Sequence, residues 1–448
     1  MIIVEKLERW IIFFLGLAIV LVIMNTMMFN LALPSVARDF ARPISDASWI
    51  VTGYSITFAV ASITYSRLAD FLPIRRLFVL GLASLGGAAI AGFFINDFFL
   101  MIAVRVLQAS GAGAIPGLAL VFVSRYIPLE RRGRAMAKVM AAVGLGLGLG
   151  PVIGGVIVEY LGWHFLFLLT AASLLLIPAF ARLIPVEVSK QGSFDATGAS
   201  LSAIGITALL LALTQKSLIA TAVGCTAVLL FALRIRSAAQ PFVLPALFSN
   251  SRYLLLGGAG IGAYMLSFAL LFIMPQMLIR QYQMTAIEAG LVIFPGSLAA
   301  MLLSPLVGKV IDRTGNAGIL RYIPVLLFAA ALLFALLAAQ SAFWIMAAYT
   351  LLSIAFTFLS TSVSNEMSRI LKKEEIGSGL GLFQLMQFFS GAFGVALAAT
   401  ALVWQKDLPP QIAYSNIFRG MALVALLSVL AAQLYLRGKD RGEKLSPA

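Results

Sequence analysis

The chain has 448 residues, of which 61% are hydrophobic and only 11% charged, and its mean hydropathy is +1.01. Soluble domains carry about 25% charged residues, so this composition excludes a soluble globular protein and predicts an all-α polytopic membrane protein. The net charge of +14 would suit nucleic acid, but the basic residues lie mostly in short loops on one side, which is the pattern of membrane topology.

Two rare residue types limit the chemistry of the chain. Cys225 is the only cysteine, which excludes an internal disulfide, and His164 is the only histidine, which excludes a metal site with several histidines. We therefore expect no metal and no cofactor. Residues 1–33 contain a long apolar run without the small-residue cleavage site of a signal peptide, which predicts a retained first span.

Hydropathy predicts fourteen membrane spans with short connections. They are 10–33, 48–69, 75–95, 98–122, 134–158, 163–184, 197–215, 218–236, 254–277, 286–308, 320–339, 342–364, 376–404 and 414–436. With a cytoplasmic N-terminus, the outer loops hold few basic residues, namely Arg38, Arg42, Lys216, Arg280 and Lys406. Since basic residues accumulate on the cytoplasmic side, we predict that both termini are cytoplasmic.

A loop motif occurs at two equivalent places. Residues 66–76 follow span 2 and residues 308–315 follow span 10, and each segment has an aspartate next to a turn and an arginine. The repeat predicts two related six-helix bundles, at residues 1–190 and 241–436. Between them, residues 191–240 would form an inserted two-helix hairpin, and residues 437–448 a cytoplasmic tail.

Span 1 contains polar residues at membrane depth. Thr26 and Asn30 lie one turn apart on a shared helix face, and Asn25 lies off that face. Uncharged amides there either bridge helices or contact a solute, and the sequence favours neither. Tyr54 in span 2 belongs to a wider set that either lines an adaptable apolar pocket or packs as core. That set is Met24, Met27, Phe29, Tyr54, Phe58, Tyr264, Phe268, Phe383 and Phe388.

The loop after span 2 combines an acid with two bases. Asp70 precedes Arg75 and Arg76, and charge-assisted hydrogen bonds among them would hold neighbouring helices together. Breaking those bonds would release one bundle from the other. The alternative is a solvated charged loop that only sets topology.

Arg105 lies about a third of the way into span 4. A buried arginine costs at least about 2.5–3.5 kcal/mol on insertion scales, so we expect it to face a polar interior. Gln108 is one turn on and on the same face. The alternative is that Arg105 extends to the outer headgroups.

Span 5 contains an unusual run of glycines with one proline. Glycine and proline are costly in helices, at about 1 and 3 kcal/mol, and are accepted in lipid where backbones approach closely or a helix bends. The two rows of glycines are Gly144, Gly148 and Gly155 on one side and Gly146, Gly150 and Gly154 on another, with Pro151 between them. The run predicts either a moving helix interface or a static packing face.

The second half offers glutamines but no acid in the middle of a span. Gln384 and Gln387 share a face of span 13 and are candidates for the opposing wall of a cavity. Thr285 and Glu288 read as a capping box that opens span 10. The remaining acids, Glu159 and Glu366 at span ends and Asp195 at the start of span 7, read as interfacial or capping residues.

With these residues in place, the chain resembles the major facilitator superfamily, and more narrowly the fourteen-span drug:proton antiporters, which include tetracycline and multidrug exporters. The glycines at 146, 150, 154 and 155 with Pro151 resemble the antiporter motif of span 5. Residues 105–108 resemble the span-4 motif, whose arginine is associated with proton transfer. Residues 30–34 resemble the span-1 motif, and residues 66–76 resemble the gating motif.

The sequence departs from the tetracycline-efflux branch at two membrane acids. The matching residues here are Thr26 and Gly391. A strongly cationic substrate would need such negative charge, so a neutral, zwitterionic or anionic amphiphile fits these residues better.

The sequence thus predicts a monomeric, proton-coupled efflux antiporter of the bacterial inner membrane that exports small amphipathic compounds by alternating access. The alternative is a dedicated exporter of one metabolite or natural product. The sequence argues against an enzyme, because it has one histidine, no paired membrane carboxylates and no nucleophile motif. It also lacks the phosphate-binding loop that would indicate ATP as the direct energy source. The sequence identifies neither the substrate nor the proton-carrying residue.

Overall fold

The computed structural model describes residues 2–42, 44–47, 49–188, 194–215, 217–238 and 240–444, and within these ranges the regular structure is helical. The long helices are α1 (Ile2–Asp39), α2 (Trp49–Leu68), α3 (Ile74–Phe93), α4 (Phe98–Tyr126), α5 (Leu129–Tyr160), α6 (Phe165–Leu183), α7 (Ala196–Gln215), α8 (Leu218–Ser237), α9 (Ser251–Arg280), α10 (Ala286–Thr314), α11 (Ala317–Leu337), α12 (Ala342–Ile370), α13 (Ile376–Trp404) and α14 (Pro410–Lys444). A turn at Gly113 interrupts α4, and Ala172–Leu176 in α6 is a 3-10 helix.

Twelve helices in the described ranges are long and apolar enough to cross a membrane. α2 and α7 are not among them, and Ala196–Leu209 of α7 counts only as a shorter apolar helix. Twelve spans are therefore supported, and the predicted count of fourteen is not supported. The predicted boundary at 190/191 lies outside the described residues, and α14 continues through the predicted tail as far as Lys444.

Local sequence signals explain where several helices begin and end. The Thr285 hydroxyl accepts a hydrogen bond from the Glu288 amide at 3.2 Å, and the Glu288 carboxylate accepts one from the Thr285 amide at 2.7 Å. This confirms the predicted capping box. α10 ends at Gly315, whose φ of 77° suits glycine. Asp195 accepts from the Gly198 amide at 3.0 Å and caps the start of α7, as predicted.

Helix packing divides into contacts within each half of the chain and contacts between the halves. In the first half α1 packs along α5, and α4 packs against α2 and α3; in the second half α9 packs against α12, α13 and α14. The halves meet where α5 packs along α10 and α2 packs along α13. We call these the α5–α10 seam and the α2–α13 seam. The hairpin α7–α8 contacts α2 and α13.

The two glycine rows of α5 have different partners. Gly146, Gly150 and Gly154 face α1 within the first half, where a Cβ on Gly150 would lie 2.5 Å from Met27 Cβ. Gly148 faces Ser297 of α10 across the α5–α10 seam. Pro151 lies inside the continuous helix, and Gly155 is half-buried.

The row with the antiporter-motif spacing therefore packs within one half, and Gly148 of the other row makes the close approach between halves.

We predict that Gly148→Ala destabilises the protein and Gly144→Ala does not. A Cβ on Gly148 would overlap the Cβ and Oγ of Ser297, whereas a Cβ on Gly144 would meet only Thr357 Oγ1, at an ordinary 4.0 Å. Overpacking of this kind costs about 1–3 kcal/mol. Thermal unfolding of the purified variants in detergent measures the difference, and equal melting temperatures for the two would show that the seam is not tightly packed there.

Candidate functional site

The most deeply buried charged side chain among the described residues is that of Arg105. Its side chain is completely buried in α4, so the alternative that it extends to the headgroups is wrong. The guanidinium carbon lies 3.9 Å from the ring centroid of Phe29 and 4.0 Å from that of Tyr54. A cation between two aromatic faces gains about 2 kcal/mol or more per desolvated contact. Residues from α1 and α2 thus cover both faces of the group.

Amide oxygens bind the edges of this guanidinium. Arg105 Nη1 donates to Asn25 Oδ1 and to Gln108 Oε1, both at 2.9 Å, and Nε donates to the Ile50 carbonyl at 3.4 Å. The Asn25 amide in turn donates to the Thr170 hydroxyl. Asn25 therefore bridges α1, α4 and α6, and the predicted shared face of Arg105 and Gln108 is confirmed.

The hydrogen bonding around Arg105 is incomplete. Arg105 Nη2 and Gln108 Nε2 are buried without a hydrogen-bond partner. Among the ion pairs of the described residues, none involves Arg105. A buried charge without a counter-charge costs several kcal/mol, so the site retains unsatisfied capacity for an acceptor.

Aromatic residues join the two halves next to this site. Phe58 of α2 stacks edge-to-face on Phe388 of α13 at 4.7 Å, and Tyr54 stacks on Phe58 at 6.0 Å. Tyr264 and Phe268 of α9 also contact Phe388, at 6.3 and 6.2 Å. Five of the predicted aromatic residues therefore form one cluster between α2, α9 and α13, which we call the central aromatic cluster.

Among the described side chains, the remaining predicted cavity residues make no hydrogen bond to Arg105. Thr26 donates to its own helix at Val22 O, at 3.1 Å, and more weakly to the Tyr54 hydroxyl at 3.5 Å. The side chain of Asn30 lies outside the described residues. Gln384 and Gln387 are both buried in α13, and both amide atoms of Gln387 lack a partner.

Asp70 lies at the end of α2 in a network of arginines. Its carboxylate pairs with Arg67 at 2.8 Å and with Arg125 at 2.6 Å. The predicted partners, Arg75 and Arg76, instead occupy the first turn of α3, where Arg76 is exposed. The reason is local geometry: Arg67 precedes Asp70 by one turn, whereas Pro73 separates Asp70 from α3.

The same carboxylate contacts the second half of the chain. A Cβ on Gly377 would lie only 2.5 Å from Asp70 Cγ, and Gly377 is in the first turn of α13. A negative charge is favourable at a helix N-terminus, by about 0.3–1 kcal/mol. One turn away, a Cβ on Gly381 would lie 2.7 Å from Ser66 Cβ. Asp70 therefore closes one end of the α2–α13 seam.

Asp312, the repeat partner of Asp70, closes the α5–α10 seam in the same way. It pairs with Arg134 of α5 at 2.6 Å, and a Cβ on Gly133 would lie 2.5 Å from Asp312 Oδ1. Ser304, two turns earlier in α10, donates to the Ala137 carbonyl at 2.8 Å. The repeat seen in the sequence thus corresponds to two equivalent contacts between the halves, at the end of the molecule that we call the Asp70 end.

The opposite end holds the single histidine. His164 stacks on Trp163 with ring centroids 3.6 Å apart, and Trp163 Nε1 donates to Asp39 at 2.7 Å. Burial lowers the pKa of His164 below its ordinary value and outweighs the opposite effect of nearby Asp39. The neutral form is therefore favoured in the folded protein.

One buried acid was missed by sequence reasoning. Glu366 reads as an interfacial residue in the sequence, but it is only 4% exposed. It accepts hydrogen bonds from Asn316 at 2.6 Å and from the Tyr435 hydroxyl at 2.7 Å. The signal was the polar run around it in α12, which continues for two turns with Ser362 and Asn365 also buried.

Comparison with known proteins finds similarity to one transporter superfamily and to several of its named members. The family model of the Major Facilitator Superfamily matches residues 15–395. The riboflavin transporter RibZ of Clostridioides difficile is 29% identical over 322 residues, which cover 70% of each chain. The putative multidrug resistance protein MdtD of Klebsiella pneumoniae is 26% identical over 406 residues, covering 88% of this chain and 86% of that protein.

Two further proteins extend the comparison. The multidrug resistance protein Stp of Mycobacterium tuberculosis is 27% identical over 316 residues, which cover 67% of this chain and 58% of Stp. The crystal structure of the human organic anion transporter MFSD10 (TETRAN) matches the fold with a TM-score of 0.70, covering 95% of this chain and 99% of that chain at 16% identity.

We predict that Gly377→Ala opens the Asp70 end. The added methyl would overlap the Asp70 carboxylate, so either the carboxylate leaves Arg67 and Arg125 or α13 moves away from α2, and both changes loosen this end. Hydrogen–deuterium exchange of the backbone should become faster in the segments around Asp70 and Gly377. Gly318→Ala is the matched control, because a Cβ there, at the start of α11, meets nothing within 4 Å. Identical exchange in the two variants would contradict the assigned contact.

Proposed function

The chain belongs to the Major Facilitator Superfamily, and we propose that it is a proton-coupled antiporter that exports small amphipathic compounds by alternating access. The observation that carries this proposal is the pair of equivalent contacts at Asp70 and Asp312. Each is a carboxylate against a glycine of the other half. Asp70 pairs with Arg67 and Arg125 of its own half, whereas Asp312 pairs with Arg134 of the other half. Each contact is polar enough to break and re-form. The names of MdtD and Stp support a multidrug substrate range.

We place the chain in the inner membrane of a bacterium as a monomer, and we propose that α2 and α7 cross the membrane in addition to the twelve supported spans. α2 and α7 each have 20 residues, which at 1.5 Å per residue reach about 30 Å, the thickness of the hydrocarbon core. α2 also packs between α4 and α13, both of which qualify as spans. With all fourteen crossing, residues 1–190 and 241–436 form the two bundles, and residues 191–240 form the inserted hairpin.

The distribution of basic residues sets the orientation in this proposal. The Asp70 end carries Arg67, Arg125 and Arg134 in its seams, together with Arg75 and Arg76. The positive-inside rule then makes this end cytoplasmic, with both termini on the same side. The described structure, with Asp70 and Asp312 paired, corresponds to a state closed toward the cytoplasm.

Arg105 and Gln108 communicate with the proton pathway in this mechanism. Arginine does not release its own proton, so its contribution is electrostatic: its charge disfavours a second positive charge nearby and favours an acceptor. α4 carries both Arg105 and Arg125, so a change of charge at the centre acts on the same helix that binds Asp70.

A second candidate function is the export of one neutral or anionic compound. The uncompensated charge of Arg105 favours it. At about 6 Å and an effective dielectric constant of about 20, a cationic solute would be repelled by roughly 3 kcal/mol. RibZ shows that a relative carries the name of a single solute. Growth of a pump-deficient bacterium expressing this chain, tested on a broad compound panel, separates a wide profile from a single protected compound.

We predict that Arg105→Ala abolishes proton-driven transport. Everted vesicles with the native chain should move dyes or antibiotics when a proton gradient is applied, and the variant should not, because the central charge is lost. Arg105→Lys keeps the charge but only part of the hydrogen bonding, so we expect partial activity.

Arg419→Ala is the matched control, since Arg419 also lies within a span but is exposed. Thermal unfolding of each variant checks that it is folded. Full transport by a folded Arg105→Ala protein would remove Arg105 from the mechanism, and the absence of gradient-driven movement of any compound by the native chain would refute the proposed function.

A further inference from the structure

A cavity of about 630 Å³ lies between the hairpin α7–α8 and the α2–α13 seam. This volume is within the range of about 300–1,000 Å³ typical of small-molecule sites. Leu209 and Phe231 of the hairpin, Ile63 of α2 and Met386 of α13 contribute to its apolar wall. The cavity is separate from the Arg105 site, and the mechanism proposed above assigns no role to the residues that line it.

The position of the cavity points to the bilayer as the source of its occupant. α8 leaves Leu229, Leu230 and Leu233 exposed, as expected of a helix that faces acyl chains. On the inner side, α2 and α13 separate the cavity from the central site, because Ser66 packs against Gly381 and Phe58 stacks on Phe388. An occupant therefore arrives from the lipid and not from the central cleft.

Two polar groups lie in this otherwise apolar wall. Ser202 of α7 is only 8% exposed, and its hydroxyl has no hydrogen-bond partner. Arg236, in the last turn of α8, also lines the cavity. Its neighbour Arg234 pairs with Asp195 at 3.1 Å, whereas the ion pairs of the described residues give Arg236 no carboxylate. The site thus offers an unused hydroxyl and an unused positive charge.

The depths of Arg236, Ser202 and the apolar wall match the depths of the chemical groups in a phospholipid. The Asp195–Arg234 pair joins the start of α7 to the end of α8. Arg67, which pairs with Asp70, donates to the Pro241 carbonyl shortly after α8, so Arg236 lies at the Asp70 end. Ser202 is six residues beyond Ala196, or about 9 Å deeper at 1.5 Å per residue. The apolar wall continues past Ser202 to Leu209. In a phospholipid the phosphate is outermost, the ester carbonyl lies deeper and the acyl chain lies deepest, which is the same order.

We propose that the cavity binds one acyl chain of an anionic phospholipid. The lipid phosphate pairs with Arg236, and the ester carbonyl accepts a hydrogen bond from Ser202. The bound chain fills the space between the hairpin and the α2–α13 seam, where Arg67 already donates to the Pro241 carbonyl at 3.1 Å and Ser378 accepts from the Leu244 amide at 3.3 Å. The lipid therefore stabilises the closed Asp70 end from outside.

The test uses the full chain, purified in mild detergent and examined by native mass spectrometry and lipid analysis. The native protein should retain one phosphatidylglycerol per chain. Arg236→Gln should reduce retention roughly fivefold, the effect of one basic residue on an anionic lipid, and Ser202→Ala should reduce it less. Arg182→Gln is the matched control, because Arg182 is exposed at the same end on α6 and does not line the cavity.

A second measurement separates headgroup binding from general solvation by lipid. After delipidation, palmitoyl-oleoyl phosphatidylglycerol should raise the melting temperature of the native protein and of Arg182→Gln but not of Arg236→Gln, and palmitoyl-oleoyl phosphatidylcholine should not raise any of them. Equal effects of the two lipids, or undiminished retention by Arg236→Gln, would overturn the proposal. Displacement of the lipid by a transported dye would assign the cavity to substrate and overturn it as well.

Discussion

A carboxylate pressed against a glycine near the start of a helix is the contact on which the arrangement of the two halves depends. Asp70 makes it at Gly377 of α13, and Asp312 makes it at Gly133 of α5. Two arginines pair with Asp70 and one with Asp312, and in each case the glycine lacks the side chain that would keep the helices apart. Close approach and charge pairing are therefore coupled. A methyl group at either glycine would overlap the acid, and loss of Asp70 would leave the buried Arg67 without its carboxylate.

The central site is connected to these contacts through two helices. α2 carries Tyr54 beneath the Arg105 guanidinium and ends at Asp70, and α4 carries Arg105 itself and ends next to Arg125. The two helices pack against each other along their length. Backbone hydrogen bonds run without a break through α2, whereas the turn at Gly113 interrupts α4 between Arg105 and Arg125. α2 is therefore the continuous connection between the guanidinium and Asp70, although the two sites lie at different depths.

Much of this organisation is readable from the sequence, and the exceptions have physical causes. Hydropathy locates the long helices because lipid demands apolar side chains, and the Thr285–Glu288 capping box is a local pattern. The buried position of Arg105 follows from its place within an apolar run. The partners of Asp70 and the different faces of Gly148 and Gly150 depend on how helices rotate against each other, which hydropathy does not encode. Glu366 was misplaced because proximity to a span end does not reveal Tyr435, which arrives from α14.

The charge balance of the acids and of Arg105 is the basis for the proposed solute class. Asp70 and Asp312 are compensated within the protein, whereas the ion pairs of the described residues leave Arg105 with amide oxygens and aromatic faces alone. Those groups solvate a cation but do not cancel its charge, so the field of Arg105 extends into its surroundings. A solute with an acceptor or a negative group lowers the energy of this site, and a permanent cation raises it. The absence of acids at Thr26 and Gly391 acts in the same direction as the buried arginine, which is the physical basis for proposing neutral and anionic compounds as solutes.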